Sequence, residues 1–198
     1  MMPSRRPETE SAIKTAAFNL FAEKSYHNVS IDEVARKVGV SKGAIFHYFS
    51  SKYQLAVESL IGSMSDLYDE HFFEKIESLS PNEQLRKVIE NIVFKFLEFP
   101  KVIRFMLEIT ELAPKDKENT ETFKTLLKWQ EENIKVITKI LEKSGSNNVD
   151  IRTQLLISCL DGLVYSYGIS KELGQEFDMN AYINELVDLF MPEKDRYR

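Results

Sequence analysis

Cysteine occurs once, at Cys159, in the 198 residues of this chain. A lone thiol closes no internal disulfide, which excludes a small stapled scaffold and suits the cytoplasm. Glycine and proline are scarce, at 7 and 6. So few turn residues disfavour sandwiches and barrels and favour long helices. Long apolar runs are also missing. Uncharged apolar runs such as Leu155 to Leu160, about six residues, fall far short of the twenty or so a spanning helix needs, so no membrane partner is expected. The start, Met1-Met2-Pro3-Ser4-Arg5-Arg6, has no apolar stretch of the kind a secretory leader carries. Three histidines and one cysteine make no metal-spaced cluster and leave few nucleophile–base pairs, and no glycine-rich phosphate loop is present. No catalytic residue, metal or cofactor is therefore expected, and the chain does not read as an enzyme.

What is there is an ordinary globular balance, 43% hydrophobic and 29% charged, enough for one domain or two small ones. The net charge of −5 hides an asymmetry. Residues 1–54 carry eight basic and five acidic side chains, a net of +3, and the remainder carries 18 against 26, a net of −8. A basic head on an acidic body suits contact with nucleic acid through the head alone.

Apolar spacing of three and four marks a run of helices, and no strand-like alternation appears. Ile13, Ala16, Ala17, Leu20 and Phe21 line the first. Ser30 and Glu33 form a capping box for a second, Ile31 to Val38, which Gly39 ends as a left-handed residue. Ser41 caps a short third helix, Lys42 to Phe49. Ser51 and Gln54 open a fourth that the pattern carries unbroken to residue 77, about 39 Å at 1.5 Å per residue. Helices follow from Pro81 to before Pro100, before Pro114, from Thr122 to Gly145, over Asp150 to Leu173 and over Asn180 to Met191. Lys115 to Asn119 reads as an exposed charged loop.

Two short helices about a tight glycine turn, inside a three-helix head, make a helix-turn-helix. Its second helix must offer small and polar groups to a major groove. Ser41, Lys42, Gly43, Ala44, His47 and Tyr48 point outward, and Ile45 and Phe49 inward. Gly43 and Ala44 let the backbone come close to base edges. Lys42 can donate to guanine or to a phosphate. Arg5 and Arg6 can form a disordered arm that touches DNA.

The stretch from Val29 to Lys52, VSIDEVARKVGVSKGAIFHYFSSK, closely resembles the DNA-binding signature of the TetR family of transcriptional regulators. The resemblance covers about residues 8–60. It implies that the Ser30 hydroxyl meets a phosphate, that Lys42, Gly43 and Ala44 face the groove, and that His47 and Tyr48 touch backbone or bases. It also implies a phosphate bound by Lys52 at the start of the fourth helix, where the helix N-terminus adds positive potential. Phe46 departs from the pattern: the family usually has tyrosine there, and phenylalanine lacks the phosphate-bonding hydroxyl, though its ring can pack on a thymine methyl.

In the body, the penultimate helix is apolar nearly all round. Ile151, Leu155, Ser158, Gly162, Tyr165, Ser166 and Ile169 share one stripe, and Leu156, Leu160, Leu163 and Tyr167 another. The small-residue stripe would let a second helix approach. With Tyr182, Ile183, Leu186, Val187 and Phe190 of the last helix it can form a two-fold four-helix interface, an arrangement the family resemblance also implies. The resemblance further implies a small-molecule pocket among the middle helices, for which Met64, Leu67, Phe94, Phe105, Trp129, Asn133, Leu163 and Tyr167 are the candidates. Arg104, Glu108, Gln130, Asn133 and Asp161 fall on or beside apolar faces, where each can orient a ligand or lie on the surface. The aromatic content suggests a mostly apolar effector, an acyl or flat aromatic compound.

The expectation is thus an all-α chain of about nine helices: a three-helix DNA-binding head over residues 1–52, and a helical bundle over 53–198 for ligand binding and dimerisation. Its function would be that of a cytoplasmic homodimeric repressor. Its partners would be a palindromic double-stranded operator and a small-molecule effector that releases it.

Overall fold

A computed structural model describes residues 5–65, 70–98 and 101–191. Among them lie ten α-helices and no strand: α1 (Arg5–Lys24), α2 (Ile31–Val38), α3 (Lys42–Tyr48), α4 (Lys52–Met64), α5 (Glu70–Ile76), α6 (Pro81–Glu98), α7 (Val102–Leu112), α8 (Lys117–Lys143), α9 (Val149–Glu172) and α10 (Met179–Phe190). A 3-10 turn, Ala113–Lys115, joins α7 to α8. Two compact units result. One comprises Met1–Asp66 with Lys101–Gln130, the other Leu67–Pro100 with Glu131–Arg198.

In the first unit α1 packs on α2 and α4, α3 on α2, and α7 on both α1 and α4. The apolar stripe of α1 dictates this, since Ile13, Ala17, Phe18 and Phe21 are all buried. Phe105 of α7 completes that core. Its ring lies 5.4 Å from that of Phe21 and 6.3 Å from that of Phe18. In the second unit α10 packs on α6 and α9, around Leu85, Ile89, Val93, Leu156, Leu160, Ile183 and Val187. Arg152 of α9 donates to the carbonyls of Leu189 and Phe190, at 3.1 and 2.7 Å. A cation there opposes the negative end of the α10 dipole.

Four expectations are corrected. The single helix to residue 77 is two helices, α4 ending at Met64 and α5 starting at Glu70. Near that end Gly62 is a poor helix former, and the Ser65 hydroxyl donates back to the Ile61 carbonyl at 2.8 Å, a bond that competes with helix continuation. This raises the helix count from about nine to ten. The segment Lys115 to Asn119 is no loop, because Asp116 accepts the Asn119 amide at 2.8 Å and starts α8 there. Arg5 and Arg6 open α1 instead of forming an arm.

Candidate nucleic-acid interface

Short-range capping builds the helix-turn-helix. The Ser30 hydroxyl accepts the Glu33 amide at 3.1 Å, and that of Ser41 accepts the Ala44 amide at 3.1 Å. Each such cap stabilises its helix by about 1 kcal/mol. Between the two helices Gly39 takes φ +80°, the left-handed region a Cβ disfavours, and its amide bonds the Ala35 carbonyl. The turn aims Ile45 and Phe49 inward, both buried, and leaves Ser41, Lys42, Gly43, Phe46 and His47 exposed. A Cβ at Gly43 would meet only the Ser41 Oγ, 3.8 Å away, so glycine there opens the outer face and relieves no internal crowding.

Lys42 is paired: its Nζ lies 2.7 Å from an Asp32 carboxylate oxygen, with both side chains more than half exposed. Such a pair is worth at most about 1 kcal/mol, so a DNA phosphate can displace Asp32. Tyr48 is half-buried between the rings of His47 and Phe49, 5.5 and 6.2 Å away. Phe46 is 45% exposed. Lys52 is half-buried, its ammonium 4.1 Å from the centre of the Tyr26 ring and 5.9 Å from that of Phe21. Burial pushes that ammonium below the ordinary lysine range, and the Glu108 carboxylate opposes the shift.

Glu108 and Arg104, read from sequence as ligand-orienting, instead turn to the head. A Glu108 oxygen accepts the Tyr26 amide at 2.7 Å. Arg104 donates to the carbonyls of Ala22 and Glu23, at 2.9 and 3.2 Å. The Tyr53 hydroxyl donates to the Ile109 carbonyl at 2.9 Å, and Ser50 donates to Glu118 of α8 at 2.8 Å. These contacts join residues 56 to 82 positions apart. The only sequence trace is Arg104 and Glu108, four apart on α7.

The candidate pocket residues do not gather in one unit. Met64, Phe105 and Trp129 belong to the first, and Phe94, Asn133, Leu163 and Tyr167 to the second; Leu67 lies outside the described residues. Phe105 and Leu163 serve as core, whereas Phe94 is 49% exposed. A groove of about 300 Å³ in the second unit is lined by Phe73, Val136 and Ile140, with Lys139 and Lys143 among its other residues. None of the seven described candidates lines it.

On α9 burial follows the two stripes. Leu156, Leu160 and Leu163 are buried, whereas Ile151, Leu155, Ser158, Gly162, Tyr165, Ser166 and Ile169 are exposed. On α10 the expectation is corrected. Ile183 and Phe190 are 1% and 4% exposed, because with Val187 they form the arc that packs on the unit's own core. The outward residues of α10 are Tyr182 and Leu189, with Leu186 half-buried. Among the described residues no group of histidine, cysteine, aspartate or glutamate could hold a metal ion, and no helix is long and apolar enough to cross a membrane.

Residues 13–58 match the family model for bacterial regulatory proteins of the tetR family. The chain is 33% identical to the HTH-type transcriptional regulator YuxN of Bacillus subtilis over 51% of its own length, and spans about a third (35%) of that relative. It is 24% identical to YwcC of the same organism, another HTH-type transcriptional regulator, over 98% of this chain and 90% of the relative. The fold is similar to the crystal structure of the transcriptional regulator FadR from Bacillus subtilis in complex with stearoyl-CoA. The TM-score is 0.71 at 20% identity, covering 94% of this chain and 98% of that one. All three of these proteins are transcriptional regulators by name.

Proposed function

Through residues 13–58 the chain belongs to the TetR family of bacterial regulatory proteins, and on that premise we propose that it is a cytoplasmic homodimeric repressor of transcription. The observation that carries this reading is the outer face of α3. Ser41, Lys42, Gly43, Phe46 and His47 stand exposed together beyond a capped glycine turn. In the repressor, residues 1–52 read the operator and 53–198 hold the effector and the dimer contact. Ser41, Lys42, Gly43, Ala44 and Phe46 enter the major groove, with His47 and Tyr48 on bases or backbone. Ser30 and Lys52 meet phosphates. The exposed stripe of α9, Leu155, Ser158, Gly162 and Ser166, pairs with its copy across a two-fold axis, together with Tyr182, Leu186 and Leu189 of α10.

Two heads on one dimer read half-sites about one helical turn apart, roughly 34–36 Å, so the operator is a palindrome. The effector is a mostly apolar molecule that releases the protein from DNA. Two things support this: the groove's apolar wall, Phe73, Val136 and Ile140, and the stearoyl-CoA held by the similarly folded FadR. At about 300 Å³ the groove is at the small end for ligand sites, which favours a chain threaded through it over a bulky ring system. To reverse occupancy from 1:99 to 99:1 the effector must prefer the released state about 10⁴-fold.

The test is selection of random-sequence duplexes by the purified protein at near-physiological salt. Recovery of a shared palindrome is expected, and addition of stearoyl-CoA is expected to reduce retention of the selected duplex. Enrichment of no sequence over several rounds would defeat the repressor reading.

A further inference from the structure

The turn between α1 and α2 is fixed from outside the DNA-reading motif. Ser25, which ends α1, stands at φ +77° without being glycine, a conformation that persists only where its surroundings enforce it. Local bonds close the turn, from the Ser25 amide to the Phe21 carbonyl and from Asn28 to the Ser25 and Lys24 carbonyls, and α7 adds further groups on either side of Ser25. Arg104 takes the carbonyls of Ala22 and Glu23 before Ser25. Glu108 takes the amide of Tyr26 after it, in a part-buried bond of 2.7 Å. The other Glu108 oxygen lies 3.8 Å from the Arg104 Nε, so the two side chains act as one clasp. Tyr26 in turn supplies the face on which the Lys52 ammonium rests, 4.1 Å away. Its ring is steadied by Phe21 at 5.5 Å and Tyr53 at 6.5 Å. A free lysine side chain has many rotamers to lose, and a ring face confines the ammonium before any phosphate arrives.

We propose that Glu108 is a positioning residue for DNA binding: by holding the Tyr26 amide it fixes the aromatic seat of Lys52 and so places that ammonium for a phosphate. The inference rests on the reading of Lys52 as a phosphate contact. Through this bond α7, which belongs to no part of the helix-turn-helix, sets how strongly the head grips any duplex.

The experiment measures binding of a random-sequence DNA duplex about three helical turns long over a range of salt, for the full chain and four variants. Glu108→Gln and Glu108→Ala carry the same charge, but only Gln keeps an acceptor for the amide. Glu108→Ala is expected to bind roughly eightfold more weakly than Glu108→Gln near 0.1 M salt and to have a slope lower by about one unit, the loss of one phosphate contact. Tyr26→Leu, which leaves the backbone bond in place and removes the ring, is expected to lower the slope equally and keeps the test open if Glu108→Ala fails to fold. Lys52→Met is the reference. An unchanged slope in Lys52→Met overturns both the phosphate reading and this inference. A lowered slope in Lys52→Met, with Glu108→Ala or Tyr26→Leu matching Glu108→Gln or binding more tightly, overturns the inference alone.

Discussion

Tyr53 does two jobs with one side chain. Its ring is buried in the first unit, and its hydroxyl donates to the Ile109 carbonyl of α7. Burial pushes the phenol up to about 12 from its ordinary 10. The folded state therefore keeps a proton that the unfolded chain gives up. The stability this contributes is complete below about pH 10 and is lost as pH rises through about 12. Tyr53→Phe is expected to cost about 1 kcal/mol at pH 7, from the lost bond. Its deficit against the parent should shrink as denaturant unfolding is repeated towards pH 11. A deficit that stays constant over that range would contradict the assignment. Phe46 offers the opposite experiment, a gain. Its ring is 45% exposed on the outer face of α3, so Phe46→Tyr adds a hydroxyl where the family resemblance puts a phosphate bond. About 1 kcal/mol, or roughly fivefold tighter duplex binding, is expected, with the salt slope unchanged because no charge is added. Fluorescence anisotropy of a labelled duplex reads both quantities.

At the scale of elements, what was legible in the sequence was what short-range chemistry decides. The caps at Ser30, Ser41 and Ser51 and the left-handed Gly39 bring partners together within a few positions, and each stands where the sequence puts it. Elements whose fate depends on distant packing were less legible. Ile183, Leu186 and Phe190 lie on one apolar face of α10, and the sequence does not say which edge of that face meets α6 and α9. The answer, Ile183 with Val187 and Phe190 inward and Tyr182 with Leu189 outward, follows from the neighbours. The clasp of α7 on the α1–α2 turn was invisible for the same reason. Helix α9 carries the next prediction. Leu155 is 53% exposed and Ile151 63% on one stripe with Ser158 and Gly162. A stripe of that kind, left bare in the single chain, is a surface that a second copy would cover. Leu155→Glu puts a charge there without touching the core. Sedimentation is expected to report a dimer for the parent and a dissociation constant at least tenfold weaker for Leu155→Glu. Equal dimerisation by the two would remove α9 from the interface.

At the scale of the whole molecule, composition announced a helical protein with a basic start, and both features hold. The division into units was not announced. The family-model match ends at residue 58 and the helix-turn-helix pattern stops near there, which invites the view of a head that ends there. The first compact unit does not end there. It reaches Asp66 and takes in Lys101–Gln130, because Phe105 and Ile109 fill the same core as Phe18 and Phe21. That discontinuity bears on the making of hybrid regulators, in which the reading head of one protein is grafted to the sensing body of another. A graft cut near residue 60 would part Phe18, Phe21, Tyr26 and Tyr53 from the Phe105 ring, the Glu108 carboxylate and the Ile109 carbonyl that this chain's α7 sets against them. The transplantable part of this protein is therefore two pieces of chain, and a hybrid that keeps α7 with its own α1 to α4 inherits the head in working order.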